Sequence, residues 1–216
     1  MDVQLAREQM IDQQIRGWEV LDARVLSVMA AVPREDFVPD AYRQLAFADT
    51  RIPLPEGQVM MTPNVEGRML QALTVQPGDV ALDVGTGSGF SSACLAALGA
   101  RVTSIEIHAS LAERAAAIHS QLGINEVQVD IADAAQLAAT DKYDVIAVTG
   151  SIPTYAKRFP QALRVGGRLF VIVGDAPVME AILVTRTGVD AWMRESLFET
   201  ELAPLENFAR PARFEF

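Results

Sequence analysis

Val80-Ala-Leu-Asp-Val-Gly-Thr-Gly-Ser-Gly-Phe90 is an apolar run that leads straight into three glycines at alternate positions. Glycines in this pattern let the backbone turn tightly and approach a ligand closely, and the residues from Phe90 to Leu98 then read as a helix start. A strand, a glycine turn and a helix in that order mark a nucleotide site. The third glycine separates two kinds of nucleotide. A pyrophosphate fingerprint needs Gly-x-Gly-x-x-Gly, and Phe90 stands where its last glycine belongs. The pattern here is Asp83-x-Gly85-Thr86-Gly87-x-Gly89, with a carboxylate two residues before the first glycine. Such a carboxylate repels a pyrophosphate but can take up an ammonium. S-adenosylmethionine carries an ammonium and no phosphate.

The next apolar run, Arg101 to Ile105, ends at Glu106 and Ile107. An acid about twenty residues past the glycines suits two ribose hydroxyls, a role that NAD shares. A third carboxylate, Asp133, with Ala134 beside it, closes the run Val127-Gln-Val-Asp-Ile131 and suits the exocyclic amine of adenine. Acids at three successive strand ends favour S-adenosylmethionine as cofactor, with S-adenosylhomocysteine as its product. Thr149, with Gly150 after it, follows a fourth strand at the carboxyl edge of the sheet, where ligands bind.

Strands are expected at 80–84, 101–105, 127–131, 143–148 and 168–173, with helices near 89–98, 109–121 and 153–163. That alternation predicts an α/β fold, a doubly wound Rossmann-like parallel sheet. The tail departs from it: 181–187 and 191–200 read as two strands joined at Gly188-Val-Asp190, an antiparallel hairpin that brings the sheet to seven strands. Such a hairpin is the habit of S-adenosylmethionine methyltransferases and not of dehydrogenases.

Before the glycine strand, residues 4–16 form a predicted helix with Ile11, Ile15 and Trp18 on one face and Gly17 as its stop. Asp22 caps a second helix with Val25, Leu26 and Met29 facing inward, ended by Pro33. The segment 34–57 is broken by Pro39, Pro53 and Pro55 and reads as an irregular cap outside the core. Thr62-Pro63 opens a further helix, threonine as cap and proline in the first turn, with Val65, Met69 and Leu73 on one face. We therefore expect 1–60 to form an N-terminal helical cap and irregular segment within the same unit, and 61–216 to form the methyltransferase core.

Composition narrows the function further. The net charge is −10, with 28 acids against 18 bases, and Lys157-Arg158 is an isolated basic pair, so a nucleic-acid partner is disfavoured. Apolar runs fall short of a membrane span and Met1-Asp2 begins no signal peptide, which predicts a cytoplasmic protein without membrane partners. Cys94 is the single cysteine, an inert core thiol by its place on the helix after the glycines, and no Cys-based metal site can form. His108 and His119 have no partner at metal spacing, so no metal is expected and a surface or helix-end role is assigned to both.

Several stretches resemble protein-L-isoaspartate O-methyltransferases. They are Val28-Met-Ala-Ala-Val-Pro-Arg-Glu-Asp-Phe-Val-Pro39, Ala46-Phe-Ala-Asp49, Pro77-Gly-Asp79, Asp83 to Gly89, Ser104-Ile-Glu106, Tyr143-Asp144 to Thr149 and Gly166-Gly-Arg-Leu-Phe170. The resemblance implies methyl transfer from S-adenosylmethionine to the free α-carboxylate of an isoaspartyl residue, initiating repair through a succinimide. Sulfonium and carboxylate are both already activated, so the protein supplies alignment and desolvation. In the family, the residues after Gly-Gln usually read Thr-Ile-Ser, then one residue and a proline, and the serine hydroxyl lies at the transfer site. Here the segment is Gly57-Gln-Val59-Met60-Met61-Thr62-Pro63, which puts Met61 at the serine position. Methionine is no strong hydrogen-bond donor, and Thr62 stands one residue away. Met61 and Thr62 are thus the candidate catalytic-site residues. Three readings stay open: isoaspartyl repair with Thr62 or backbone amides replacing serine, a methyltransferase for another protein group or small molecule, and a non-catalytic S-adenosylmethionine-binding sensor. The sequence leaves monomer and dimer equally open.

Overall fold

The computed structural model describes residues 2–210. Helix α1 (Val3–Gln9) starts under Asp2, whose side chain accepts the Leu5 N–H. It runs on through a π-helical turn, Met10–Ile15, and a 3-10 turn, Arg16–Trp18. Gly17 lies inside that last turn; the chain stops at Glu19, which adopts a left-handed φ of 62°. Ile11 and Ile15 are buried as predicted, whereas Trp18 is 40% exposed and meets Phe198 edge-on.

Asp22 caps α2 (Ala23–Ala31) by accepting the Arg24 and Val25 N–H groups, and Val25, Leu26 and Met29 are buried. The segment after Pro33 corrects the sequence reading. It forms a short helix α3 (Arg34–Phe37) and a two-stranded antiparallel ribbon, β1 (Ile52–Pro53) with β2 (Val59–Met60). Phe37, Val38, Ala46, Phe47, Ile52 and Leu54 are all buried in the main core. Prolines prevent long regular elements here, but they do not stop apolar side chains from packing. Phe37 packs edge-on against Phe90, so this segment holds the helix after the glycine turn.

α4 (Pro63–Leu73) buries Val65, Met69 and Leu73 on one face. Thr62 occupies its cap position, but its hydroxyl makes no capping bond; its carbonyl accepts the Glu66 N–H instead. The alternating elements then follow as β3 (Val80–Val84), α5 (Phe90–Ala97), β4 (Arg101–Glu106), α6 (Ala109–Gln121), β5 (Val127–Ile131), β6 (Tyr143–Ile152), α7 (Arg158–Ala162) and β7 (Leu163–Asp175), with β8 (Val178–Gly188) and β9 (Ala191–Thr200) last. The seven-stranded order is β5-β4-β3-β6-β7-β8-β9. β5 to β7 pair in parallel, and β8 and β9 are antiparallel, as the hairpin predicts.

The helix expected over 153–163 shrinks to α7. β6 runs on to Ile152 by pairing Ser151 and Ile152 with Ile172 and Val173 of β7, Ser151 also bonds Ala203 and Leu205 through its backbone, and Pro153 follows at once. Strand alternation distributes the core: Ala81, Val145 and Ala147 face one apolar cluster, and Leu82, Ile146 and Val148 face the other. The order reverses between β3 and β6. Their carboxyl ends therefore open a crevice at the glycine turn.

Candidate active site

Gly85, Gly87 and Gly89 have φ of 89°, 53° and 87°, which side chains rarely tolerate. They serve different surfaces. A Cβ on Gly85 would lie 3.2 Å from both Leu205 Cδ2 and Thr149 Oγ1, whereas one on Gly89 would lie 2.9 Å from Ala115 Cβ and 3.0 Å from His119 Nε2. Gly89 therefore allows α5 to approach α6, and it is not among the residues that line the trough described below. His119 is buried and not at the surface: its Nε2–H donates to the Gly89 carbonyl at 2.8 Å, and burial pushes its pKa down against the pull of that bond. His108 begins α6 and lies 2.9 Å from the Glu206 carboxylate.

Three adjoining cavities form a trough over the carboxyl ends of the strands, with Gly85 on the wall of all three. The section beside β5 is lined by Ile107, Asp133 and Ala134. The middle section is lined by Gly87, Glu106, Ile107 and Thr149. The far section is lined by Met61, Glu66, Thr86, Ser88, Ser91 and Thr149.

Glu106 is committed to more than a ligand. Its carboxylate accepts the N–H groups of Gly87 at 2.8 Å, Ile107 at 2.9 Å and His108 at 3.1 Å, tying the glycine turn to the end of β4. Asp133 accepts the Ala135 N–H at 2.8 Å and the Asn207 side-chain amide at 3.0 Å. Thr149 donates its hydroxyl to the carbonyls of Val84 and Gly85, 2.8 and 2.6 Å away.

Asp83 departs from its expected place. It is fully buried behind the turn, lines none of the three sections, and accepts the Ser104 hydroxyl at 2.7 Å. Burial, followed by the nearby charges of Glu106 and Glu66, pushes its pKa up to about 7 against the pull of Ser104. Its other oxygen has no hydrogen-bond partner among the described residues.

A fourth cavity of about 230 Å³ adjoins the trough, sharing Met61 with its far section and Leu202 with its middle. Thr62, Arg51, Asp49 and Glu201 also line it. Met61 is 4% exposed and stands between the two spaces; Thr62 opens only on the second. Arg51 is 3.6 Å from the Glu201 carboxylate.

A family model described as protein-L-isoaspartate(D-aspartate) O-methyltransferase matches residues 5–206. The chain is also 38% identical to the protein-L-isoaspartate O-methyltransferase of Koribacter versatilis over 202 residues, which covers 93% of this chain and 90% of that one. This chain belongs to the protein-L-isoaspartate O-methyltransferase family. A Rhodopseudomonas palustris relative of the same name is 37% identical over 92% of the chain and 82% of its own length. Among solved structures, a Plasmodium falciparum one described as a protein-L-isoaspartate O-methyltransferase in complex with S-adenosyl-L-homocysteine superposes with a TM-score of 0.81 at 18% identity, over 95% of this chain and 99% of that one. The fold of the family therefore extends over nearly all of the described residues.

Two parts of this family member's site went unread in the sequence. One is the segment 202–207, which crosses the trough: Ser151 N–H donates to Ala203 O, Leu205 N–H donates back to Ser151 O, and Leu205 packs on Gly85 and Gly150. It lies past the last strand and has no period of its own. The other is the pair Arg34 and Glu66, both buried and in direct contact. Glu66 did carry a signal. It lies three residues before Met69 and seven before Leu73, an acid on the apolar face of α4.

Proposed function

We propose that this family member transfers a methyl group from S-adenosylmethionine to the free α-carboxylate of isoaspartyl residues in damaged proteins, releasing S-adenosylhomocysteine. The observation that carries the reading is the meeting of two spaces at Met61: a trough with acids at its strand-end sections, and an acceptor cavity that holds a cation, Arg51. The trough suits this cofactor better than a dinucleotide. Gly85 and Gly87 put no side chain between backbone and ligand, and no lysine or arginine among the described residues lines the three sections to meet a phosphate. Glu106 would hold the ribose and Asp133 the adenine amine, while Ile107 and Ala134 flank the base. When bound, the cofactor supplies a methyl group activated by its sulfonium.

What remains for the chain is orientation and water exclusion. The Thr62 hydroxyl, free of any capping bond, and the Arg51 guanidinium are donors in the acceptor cavity that can meet a carboxylate, beside the Thr200 hydroxyl and the Trp18 indole N–H. Arg51 would exchange Glu201 for the acceptor. Met61 replaces a hydroxyl with an apolar wall that keeps water from the transfer point. Small molecules compete as acceptors only if they present an anion of similar size. Among the described residues no helix is long and apolar enough to cross a membrane, and a cytoplasmic setting suits a repair enzyme whose one cysteine, Cys94, is a buried thiol.

The test is the chemical nature of the product. Wild-type protein incubated with methyl-labelled S-adenosylmethionine and an isoaspartyl peptide should give a base-labile methyl ester that decays to succinimide with release of methanol. Label that is stable to base, or label on a different group, would contradict carboxylate methylation.

A further inference from the structure

Glu66 lies in the first turn of α4 and is 2% exposed, yet it stands on the wall of the far section of the trough, which Met61, Ser88 and Ser91 also line. Its charged partner is Arg34, itself fully buried. The guanidinium is nearly spent: Nη1 contacts Glu66 Oε2, Nε donates to Ala46 O at 2.8 Å, and Nη2 donates to Met61 O at 2.7 Å. Arg34 thus clamps one oxygen of Glu66 and the backbone of Met61 together and leaves the other oxygen for the cavity. As a scaffold alone the pair has little rationale, because an apolar pair of the same volume often stabilises a core as well or better.

The ammonium of the cofactor needs a carboxylate on the trough wall. Asp83 does not supply it, being buried behind the glycine turn with one oxygen on Ser104. We propose that Glu66, fixed by Arg34, receives the ammonium at the amino-acid end of the cofactor and so positions the sulfonium beside Met61. The hydroxyls of Ser88 and Ser91, on the same cavity, are donors suited to the accompanying carboxylate. Burial drives the Glu66 pKa up to about 7 against the pull of Arg34, and a second cation in contact would hold it ionised at neutral pH. This inference rests on the cofactor reading above.

Calorimetry with two ligands tests it. S-adenosylhomocysteine should bind wild-type protein about ten- to a hundredfold more tightly than its desamino analogue, which keeps the carboxylate and lacks the ammonium. Glu66→Gln should erase most of that difference by weakening S-adenosylhomocysteine alone. Equal wild-type affinity for the two ligands would overturn the assignment without reference to any variant. So would a Glu66→Gln protein that loses both ligands equally, the mark of a merely structural residue, or one that retains the full difference. Failure of wild-type protein to bind S-adenosylhomocysteine at all would instead overturn the cofactor reading, and this inference with it.

Discussion

At the end of the trough beside β4 and β5 the polar groups come from strand ends: Glu106 closes β4 and Asp133 follows β5, each held by backbone N–H groups of its own turn and Glu106 also by the Gly87 N–H of the glycine turn. At the other end and in the cavity that adjoins it they come from Glu66 with its partner Arg34, and from Arg51 and Thr62, spread over a proline-broken segment and the start of α4. The first end is built by a repeating rule of parallel sheets, in which each crossover returns a strand end to the same edge. The second has no such rule. Its geometry depends on a buried ion pair and on apolar packing across residues far apart in the chain. Glu66, proposed to hold the ammonium, belongs to the cofactor; Arg51 and Thr62 open on the acceptor cavity, so change at either should leave cofactor binding in place, and change at Glu106 should leave the acceptor cavity in place.

The largest effect is expected where the acceptor end is also the scaffold. Arg34→Met leaves Glu66 buried without its cation, which should destabilise the fold by about 3–5 kcal/mol in urea unfolding at neutral pH. A loss below about 1 kcal/mol would separate the ion pair from the fold.

Next comes the pH dependence of the ligand-free protein. The folded-state pKa values of Glu66 and Asp83 rise from 4.5 and 3.8 to about 7. Between roughly pH 4 and pH 7 the folded state holds protons that the unfolded chain has lost, so the stability contributed by these two groups falls as pH rises through that window. Asp83→Asn should flatten the slope, by an amount on the order of 4 kcal/mol across the window. An unchanged slope would remove Asp83 from the buried charge of the site.

How much of this was legible in the sequence divides along the same line. Alternation marked every long strand and the terminal hairpin, and the acids at 106 and 133 stood where strand ends would put them. The buried position of Asp83 behind the turn is not legible, because spacing gives a residue's position along a strand but not which side of the turn its carboxylate takes. Phe37, Ile52 and Leu54 were read as cap because prolines hide apolar residues from any periodic test. Glu66 needed the cavity itself to be seen, since an acid on an apolar helix face does not announce what it faces.

Smaller effects test the independence of the two ends. Glu106→Ala should weaken S-adenosylhomocysteine binding by about tenfold or more, through the ribose and through the glycine turn it restrains, while peptide KM stays near the wild-type value. Met61→Ser should do the opposite, raising the rate on isoaspartyl peptide by up to about tenfold with cofactor affinity unchanged, if a hydroxyl at that place aligns the carboxylate. Thr62→Val should lower the rate by a few-fold, roughly the value of one exposed donor. Parallel shifts in cofactor affinity and peptide KM in all three variants would show that the two ends act as one.

The most direct measurement compares methyl transfer from labelled S-adenosylmethionine to an isoaspartyl peptide and to its normal aspartyl twin, in the wild-type protein. The expected result is transfer to the isoaspartyl peptide alone, reduced when Arg51→Ala removes the cation of the acceptor cavity. Equal transfer to both peptides, or transfer to neither with S-adenosylhomocysteine still bound, would contradict the assignment of the isoaspartyl carboxylate as acceptor.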